Sequence, residues 1–376
     1  MKSLQTLAAL FLALCCASLA PGQQPGNAAV KYLRADAALR QSFPLPPNAA
    51  AEMEKALETP LTSDEEKMVA AAAEAMVELH HGSELKSCDW AMSQQDGPLT
   101  NTSHRGAMRE IISLAGLRAR MRFRDGDSDG GVNDTLAAIA GARHLSVDGS
   151  IASVLISNKI EREITAILAL NLQSLSPIQL KRLLTGFDNL PRGSDLGTAI
   201  EAEKIGRRDL FDTSHGSKTR EDLIERLATG IPTLANDRKT ATEIVDGCGG
   251  TVVGFQNCVA GQDALYAGLV SHFEMAPEEF EKLYNAEIAE MSPTNPVLKR
   301  FTPNIGRMRW FQAYTETRRQ LLRAAIAVRL DGPGALSQHL DPYDGKPFSY
   351  VTDDREFKLS SELRDENGPL GLLIGR

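Results

Sequence analysis

The stretch that decides the fold is Ser103-HRGAMREIISLAGLRARMRFRDGDSDGGVNDTLAAIAGARH-Leu145. Its first arm, 104–123, sets Met108, Ile111, Ile112, Ala115, Ala119 and Met121 on or near one face, with arginines at 105, 109, 118, 120, 122 and 124 over the rest. That is the period of an amphipathic helix. The second arm, 132–145, carries Val132, Leu136, Ile139, Ala140 and Leu145 at comparable intervals. Between them lies the acidic turn Asp125-Gly126-Asp127-Ser128-Asp129-Gly130. Two antiparallel helices result, each with an apolar stripe that one partner alone cannot cover, so the expected fold is all-α: stacked helical hairpins. Asp127 or Asp129 is placed to accept the free N–H groups that open the second helix.

Working outward, residues 1–22 have a basic start at Lys2, an apolar run from Leu7 to Cys16 and small residues after it. This is the pattern of a secretory signal peptide. The run is shorter than the ~20 residues of a membrane span, and nothing later in the chain is long and apolar enough to be one. The expected place of the chain is therefore the periplasm or the exterior of the cell. A lipid anchor on Cys15 or Cys16 is disfavoured because Leu14 and Cys15 stand where a lipoprotein signal wants a small residue. Net charge −8 at pH 7 argues against nucleic acid or an anionic membrane as partner, since both select basic faces. The composition calls for no cofactor, and a protein or peptide is the expected partner.

Beyond the leader, residues 23–213 form one expected helical subdomain and 218–330 a second, with Ser214-His215-Gly216-Ser217 as the linker. Helices are expected at 28–41, 48–57 and 63–80, the last opened by Ser63 and Glu66 at capping-box spacing. A long helix at 150–174 is interrupted by the polar island Asn158-Lys159-Ile160-Glu161-Arg162-Glu163, and Ser176-Pro177 starts the next. Further helices are expected at 194–210, 219–229, 238–246, 259–272, 276–290 and 305–330. Residues 331–376 change character. Asp341-Pro342-Tyr343-Asp344-Gly345-Lys346-Pro347 is turn chemistry, and 348–351 with 356–360 reads as a two-stranded hairpin. Phe348, Tyr350, Phe357 and Leu359 need a covering surface, for which Tyr314, Leu321, Leu322 and Val328 are the candidates.

The run 117–145, with its Gly126-Asp127 turn and its Ala-Arg-His-Leu end, resembles helical hairpins in a family of uncharacterised exported bacterial proteins, and distantly resembles tetratricopeptide units. The tail 341–350, after its long helix, is similar to the ends of those family members and loosely to the C-terminal segment of type II secretion pseudopilins. The pseudopilin methylation motif and hydrophobic helix are absent from the sequence. The resemblance implies an exported helical array and brings no catalytic residue with it.

The chemistry-bearing residues are therefore weighed singly. Asp125, Asp127, Asp129 and Gly130 fit positions 1, 3, 5 and 6 of a calcium loop, but Leu136 stands where the bidentate acid belongs. The turn is read as a helix cap, with no metal expected. His80-His81, near Cys88 and Asp89, is read as a solvated helix end, because adjacent helical residues point about 100° apart. Asp212, Ser214 and His215 hold triad residue types but lie in one loop, without a nucleophile elbow. Glu161 and Glu163 cannot share one helix face, but either could meet Glu203 or the Arg143-His144 pair if those helices pack; Glu161, Glu203, His144 and Asp89 are the catalytic candidates, with structural ion pairs as the alternative. The six arginines between 307 and 329 serve a solvated face, salt bridges or an anionic partner. Cys248 and Cys258, ten residues apart around glycines 249, 250 and 254, are expected to form a disulfide, leaving Cys88 unpaired. The reading is an exported binding or scaffolding array, with a hydrolase whose acidic residues meet in an interhelical cleft as the alternative.

Overall fold

The structure, a computed structural model, describes residues 26–374 except 44–48, 58, 92–102, 203–215, 231–233, 235–236, 354–355 and 366–367. The leader, Glu203 and the Asp212-to-His215 segment lie outside the described residues. The chain is mostly helical, with a small antiparallel sheet at its C-terminal end. The helices are α1 (Ala28–Ser42), α2 (Ala49–Ala56), α3 (Ser63–Ala71), α4 (Ala73–Ser83), α5 (Ser103–Arg124), α6 (Ser128–Ser146), α7 (Ile151–Asn171) and α8 (Pro177–Asn189). After a helical segment at 196–202 come α9 (Arg220–Gly230), α10 (Arg238–Gly247), α11 (Val252–Val270), α12 (Pro277–Met291), α13 (Pro296–Phe301) and α14 (Ile305–Asp331).

The deciding hairpin is α5 against α6. Gly126, at φ +85°, makes the left-handed step that lets the chain reverse. Asp127 then caps α6, its Oδ1 accepting from the N–H of Gly130 at 2.9 Å. Around this pair the packing differs from a two-faced helix: His104, Glu110, Ser113, Leu114 and Leu117 are buried along with the expected stripe, so α5 is enclosed on most sides. Its arginines are accordingly no solvated coat. Arg105 binds Asp148, Arg109 binds Glu54, Arg118 binds Asp134, and Arg120 donates to the carbonyls of Ala56 and Thr59. A central helix needs such partners because an unpaired buried cation would cost several kcal/mol.

Two boundaries move. The capping box sits one residue earlier than expected: Thr62 accepts from Glu65 N–H at 3.3 Å and Glu65 accepts from Thr62 N–H at 2.6 Å. Thr62 is the residue with extended backbone, as an N-cap must be. The expected helix 63–80 is also two, α3 and α4, meeting at Ala72.

At the C-terminus the strands are β1 (Ser349–Thr352), β2 (Phe357–Asp365) and β3 (Gly368–Ile374), paired in that order. The hairpin has the expected first two strands, and β3 extends it. One face lies on α14, where Leu321, Leu322 and Val328 share a core with Phe348, Phe357, Leu359, Leu370, Leu372 and Ile374. That main core also runs through α1 to α8. A second core gathers Leu223, Ile224, Leu227, Ile244 and Phe255 around α9, α10 and the start of α11. A third joins Ile151 and Val154 of α7 to Leu265, Tyr266, Phe280 and Ile305. Among the described residues no helix is long and apolar enough to cross a membrane.

Candidate functional site

The polar island of α7 lies between α6 and α14, and its centre is Glu161, 1% exposed. Arg143 of α6 donates through Nε to Oε1 at 2.8 Å, and Arg319 of α14 donates through Nε to Oε2. Burial alone would raise this carboxyl. The guanidiniums of Arg319 and Arg143 outweigh it and hold Glu161 below the ordinary range. Arg143 is further tied to the carbonyl of Pro191 at 3.3 Å. Glu161 thus fixes two arginines rather than standing free for acid–base work.

Those arginines border two cavities. The first, about 260 Å³, is lined among others by Arg143, Asn158, Arg192, Gln312 and Arg319. Its wall at 192–195 is pinned to α6 by the Ser194 N–H, which donates to Ser146 Oγ at 2.8 Å. Gly193 permits that approach, since a Cβ there would come within 2.9 Å of Ser146 Oγ. The second cavity, about 200 Å³, has Arg143, Arg319 and Arg323 against Glu161. A third, about 220 Å³, is apolar between Leu155 and Phe311, with Lys159 and Arg162 at its edge. Asn158 lines both the first and the third cavity, and its Nδ2 is buried with no hydrogen-bond partner among the described residues.

Aromatic rings steady the surrounding cations. Arg162 lies 5.7 Å from the centre of the Tyr314 ring, Arg307 5.6 Å from Phe311 and Arg323 5.7 Å from Phe187. Arg323 also pairs with Asp188 at 2.8 Å. Of the six arginines of α14, then, Arg319 and Arg323 serve salt bridges that open onto cavities.

His144 and Asp89 do not join Glu161. His144 is buried on a different side of α6, with Nδ1 2.7 Å from Tyr32 Oη, while Trp90 Nε1 donates to its backbone carbonyl at 2.8 Å. Burial pushes its imidazole down to about 4, so it is neutral at pH 7. Asp89 is exposed and closes a local turn, accepting from Ala91 N–H at 2.8 Å, and Asn27 ties its backbone down. The calcium-loop carboxylates diverge: Asp125 pairs with Arg124, Asp127 caps α6, and Asp129 pairs with Arg182. Among the described residues no group of three or more potential ligands converges as a metal site would require.

His80 corrects the reading of a solvated helix end. Its Nε2 lies 2.8 Å from Oδ1 of the fully buried Asp134, which Arg118 also binds. Burial raises Asp134, and hydrogen bonds from His80 and Arg118 bring it below the usual range. The expected disulfide is corrected too: Cys88, Cys248 and Cys258 are all free. The glycines at 249 and 250 have positive φ and spend their freedom turning α10 into α11, whose N-cap is Thr251. Cys258 is therefore held inside a helix instead of on a loop that could close. The Cys248 thiol is pushed up by burial and by the adjacent Cys258.

The structure brings a second pair of carboxylates, Glu54 and Glu163, onto Lys159. Glu54 of α2 is held by Arg109 at 2.7 Å and by Lys159, which also reaches Glu163 at 3.5 Å. Burial raises Glu54, but its hydrogen bonds to Arg109 and Lys159 win and lower it. Glu163, with one buried oxygen lacking a partner, is pushed up to about 7, by burial first. The sequence signal for Glu163 and Asn158 is the polar island itself, interrupting an apolar helix, whereas Glu54 lies outside it on α2. Comparison with protein-family models, curated proteins and solved structures finds no match to this chain.

Proposed function

We propose that this chain is an exported binding protein that holds a segment of a protein or peptide in the cleft where α6, α7 and α14 meet. The observation that carries the reading is the Arg143–Glu161–Arg319 bridge, which presents fixed guanidinium groups to cavities on both sides. A site built this way loses little side-chain entropy when it is filled, which is how preorganisation gains affinity. The hydrolase alternative draws support from the raised carboxyl of Glu163 beside Glu54. Those two side chains are 8% and 6% exposed and share Lys159, and neither lines any of the three cavities. A peptide-binding role therefore fits the cavities better.

The test is selection of random peptides displayed on phage against the immobilised chain. Recovered peptides should bind the wild type and lose at least about tenfold in affinity, ~1.4 kcal/mol, to Asn158→Trp, which fills the wall shared by two cavities. Arg192→Trp, at the exposed mouth, is the second blocking variant should the first melt early. Peptides that bind the wild type and both folded variants alike would place the site elsewhere and end this reading.

A further inference from the structure

The first and third cavities differ in chemistry and share one residue. The first cavity is lined by Arg143, Arg192 and Arg319 and by the carboxylates Asp195 and Glu316. Glu161 pairs with Arg143 and Arg319, Asp195 accepts from the Thr198 N–H and Glu316 is held by Gln312 and Arg309, so the exposed Arg192, without a partner among the described residues, is the cation left for an anion. Guanidinium favours carboxylate because its planar fork can donate two parallel hydrogen bonds. Leu155 and Phe311 make the third a receptor for an aliphatic or aromatic side chain, and the stems of Lys159 and Arg162 extend its wall. Volumes of about 260 and 220 Å³ admit side chains, not folded elements.

Asn158 stands where the two cavities meet. Its unpartnered Nδ2 is a donor without an acceptor, an unfavourable condition for a buried polar atom. A peptide carbonyl passing between the cavities supplies that acceptor after a turn about the soft terminal torsion of the amide. Accordingly, and resting on the peptide-binding reading above, we infer that the cleft recognises an acidic residue and an apolar residue adjacent in a peptide, with Asn158 binding the backbone carbonyl between them. The acid enters beside Arg192 and Arg319, and the apolar side chain enters beside Phe311.

Six defined probes test this on the full chain by calorimetry: acetyl-Ala-Leu-Glu-Ala amide, its reverse acetyl-Ala-Glu-Leu-Ala amide, and two analogues of each, with Gln for Glu or Ala for Leu. One order should bind at least about tenfold more tightly than both of its analogues, the effect of one charge-assisted contact or one buried aliphatic side chain. Arg192→Gln should erase the preference for Glu over Gln while leaving Leu over Ala, and Phe311→Ala should do the reverse. Asn158→Ala should weaken every peptide about fivefold, as loss of one neutral hydrogen bond does, without altering either ratio. A merely structural role for these residues would not separate the two preferences. If all probes bind with equal affinity, the acidic–apolar specificity is wrong while the cleft survives as a peptide site. If none binds up to roughly 10 mM, where even one charged and one apolar contact should register, the specificity is overturned, and the phage selection judges the cleft separately.

Discussion

Raising the pH from 4.5 to 7 should cost this protein stability through Glu163, and replacing that residue by Gln should remove the loss. The free carboxyl titrates near 4.5 and the folded one near 7, so the native state holds the proton more tightly. Stability contributed by that proton is fully present below 4.5, drains away as the pH rises toward 7, and changes little above it. A difference of 2.5 units corresponds to at most ~3.4 kcal/mol at 1.36 kcal/mol per unit. Lys159 beside it is 45% exposed, so solvent relieves part of the buried charge, and about 2 kcal/mol is the expected loss. His144 acts in the opposite sense: its folded value near 4 lies below the free 6.5, so its contribution is lost as the pH falls through that range. The informative quantity is therefore the difference between wild type and Glu163→Gln, measured by urea denaturation at intervals from pH 4.5 to 8. His144 cancels in that difference. The wild type should lose about 2 kcal/mol relative to the variant across the window. Two curves that stay parallel would refute the reasoning.

Glu161→Gln should destabilise the chain by about 3 kcal/mol, because Arg143 and Arg319 lose their shared anion in a partly buried setting; an unchanged urea midpoint would count against the bridge. Asp127→Ala should cost ~1 kcal/mol as a lost N-cap, and calcium at roughly 0.01 mM, below the dissociation constants of weak extracellular sites, should leave the melting temperature of the wild type unmoved. Truncation after Gly334 removes all three strands and uncovers Leu321, Leu322 and Val328, so its thermal melt should fall by several degrees; a melt that does not move would show the sheet to be dispensable. Alkylation of the unfolded, non-reduced chain should label Cys88, Cys248 and Cys258, and a linked 248–258 peptide pair in the mass spectrum would contradict the free thiols.

What was legible in the sequence was what is written in short-range periodicity. The α5–α6 hairpin, the cap at Asp127 and the Ser176-Pro177 start follow from residues within a few turns of one another, and the docking of Phe348 and Leu359 on α14 follows from the alternation of apolar residues in a hairpin that cannot stand alone. β3 escaped although Leu370, Leu372 and Ile374 alternate, because the glycines at 368 and 371 and Pro369 have the look of a turn. The site escaped for a different reason. Arg319 meets Glu161 across 158 positions, and Lys159 meets Glu54 across 105. No local pattern specifies such partners. Arginines that look like a solvent coat on α5 are indistinguishable in sequence from ones that reach Asp134 and Asp148, because the pairing is decided by which helices become neighbours.

Two helices join the main core to the third. Ile151 and Val154 of α7 lie in the third core and Ile160 and Ile164 in the main one, while α14 begins with Ile305 in the third and continues with Leu321 to Val328 in the main. Neither core can melt while these helices stay whole, so the two should come apart in a single calorimetric transition whose van't Hoff and measured enthalpies agree. The second core is joined to the third through α11, with Phe255 at one end and Leu265 at the other, and through α13, with Val297 and Leu298. Among the described residues it shares no helix with the main core, so it should open first, and amide hydrogens on α9 and α10 should exchange ahead of those on α7.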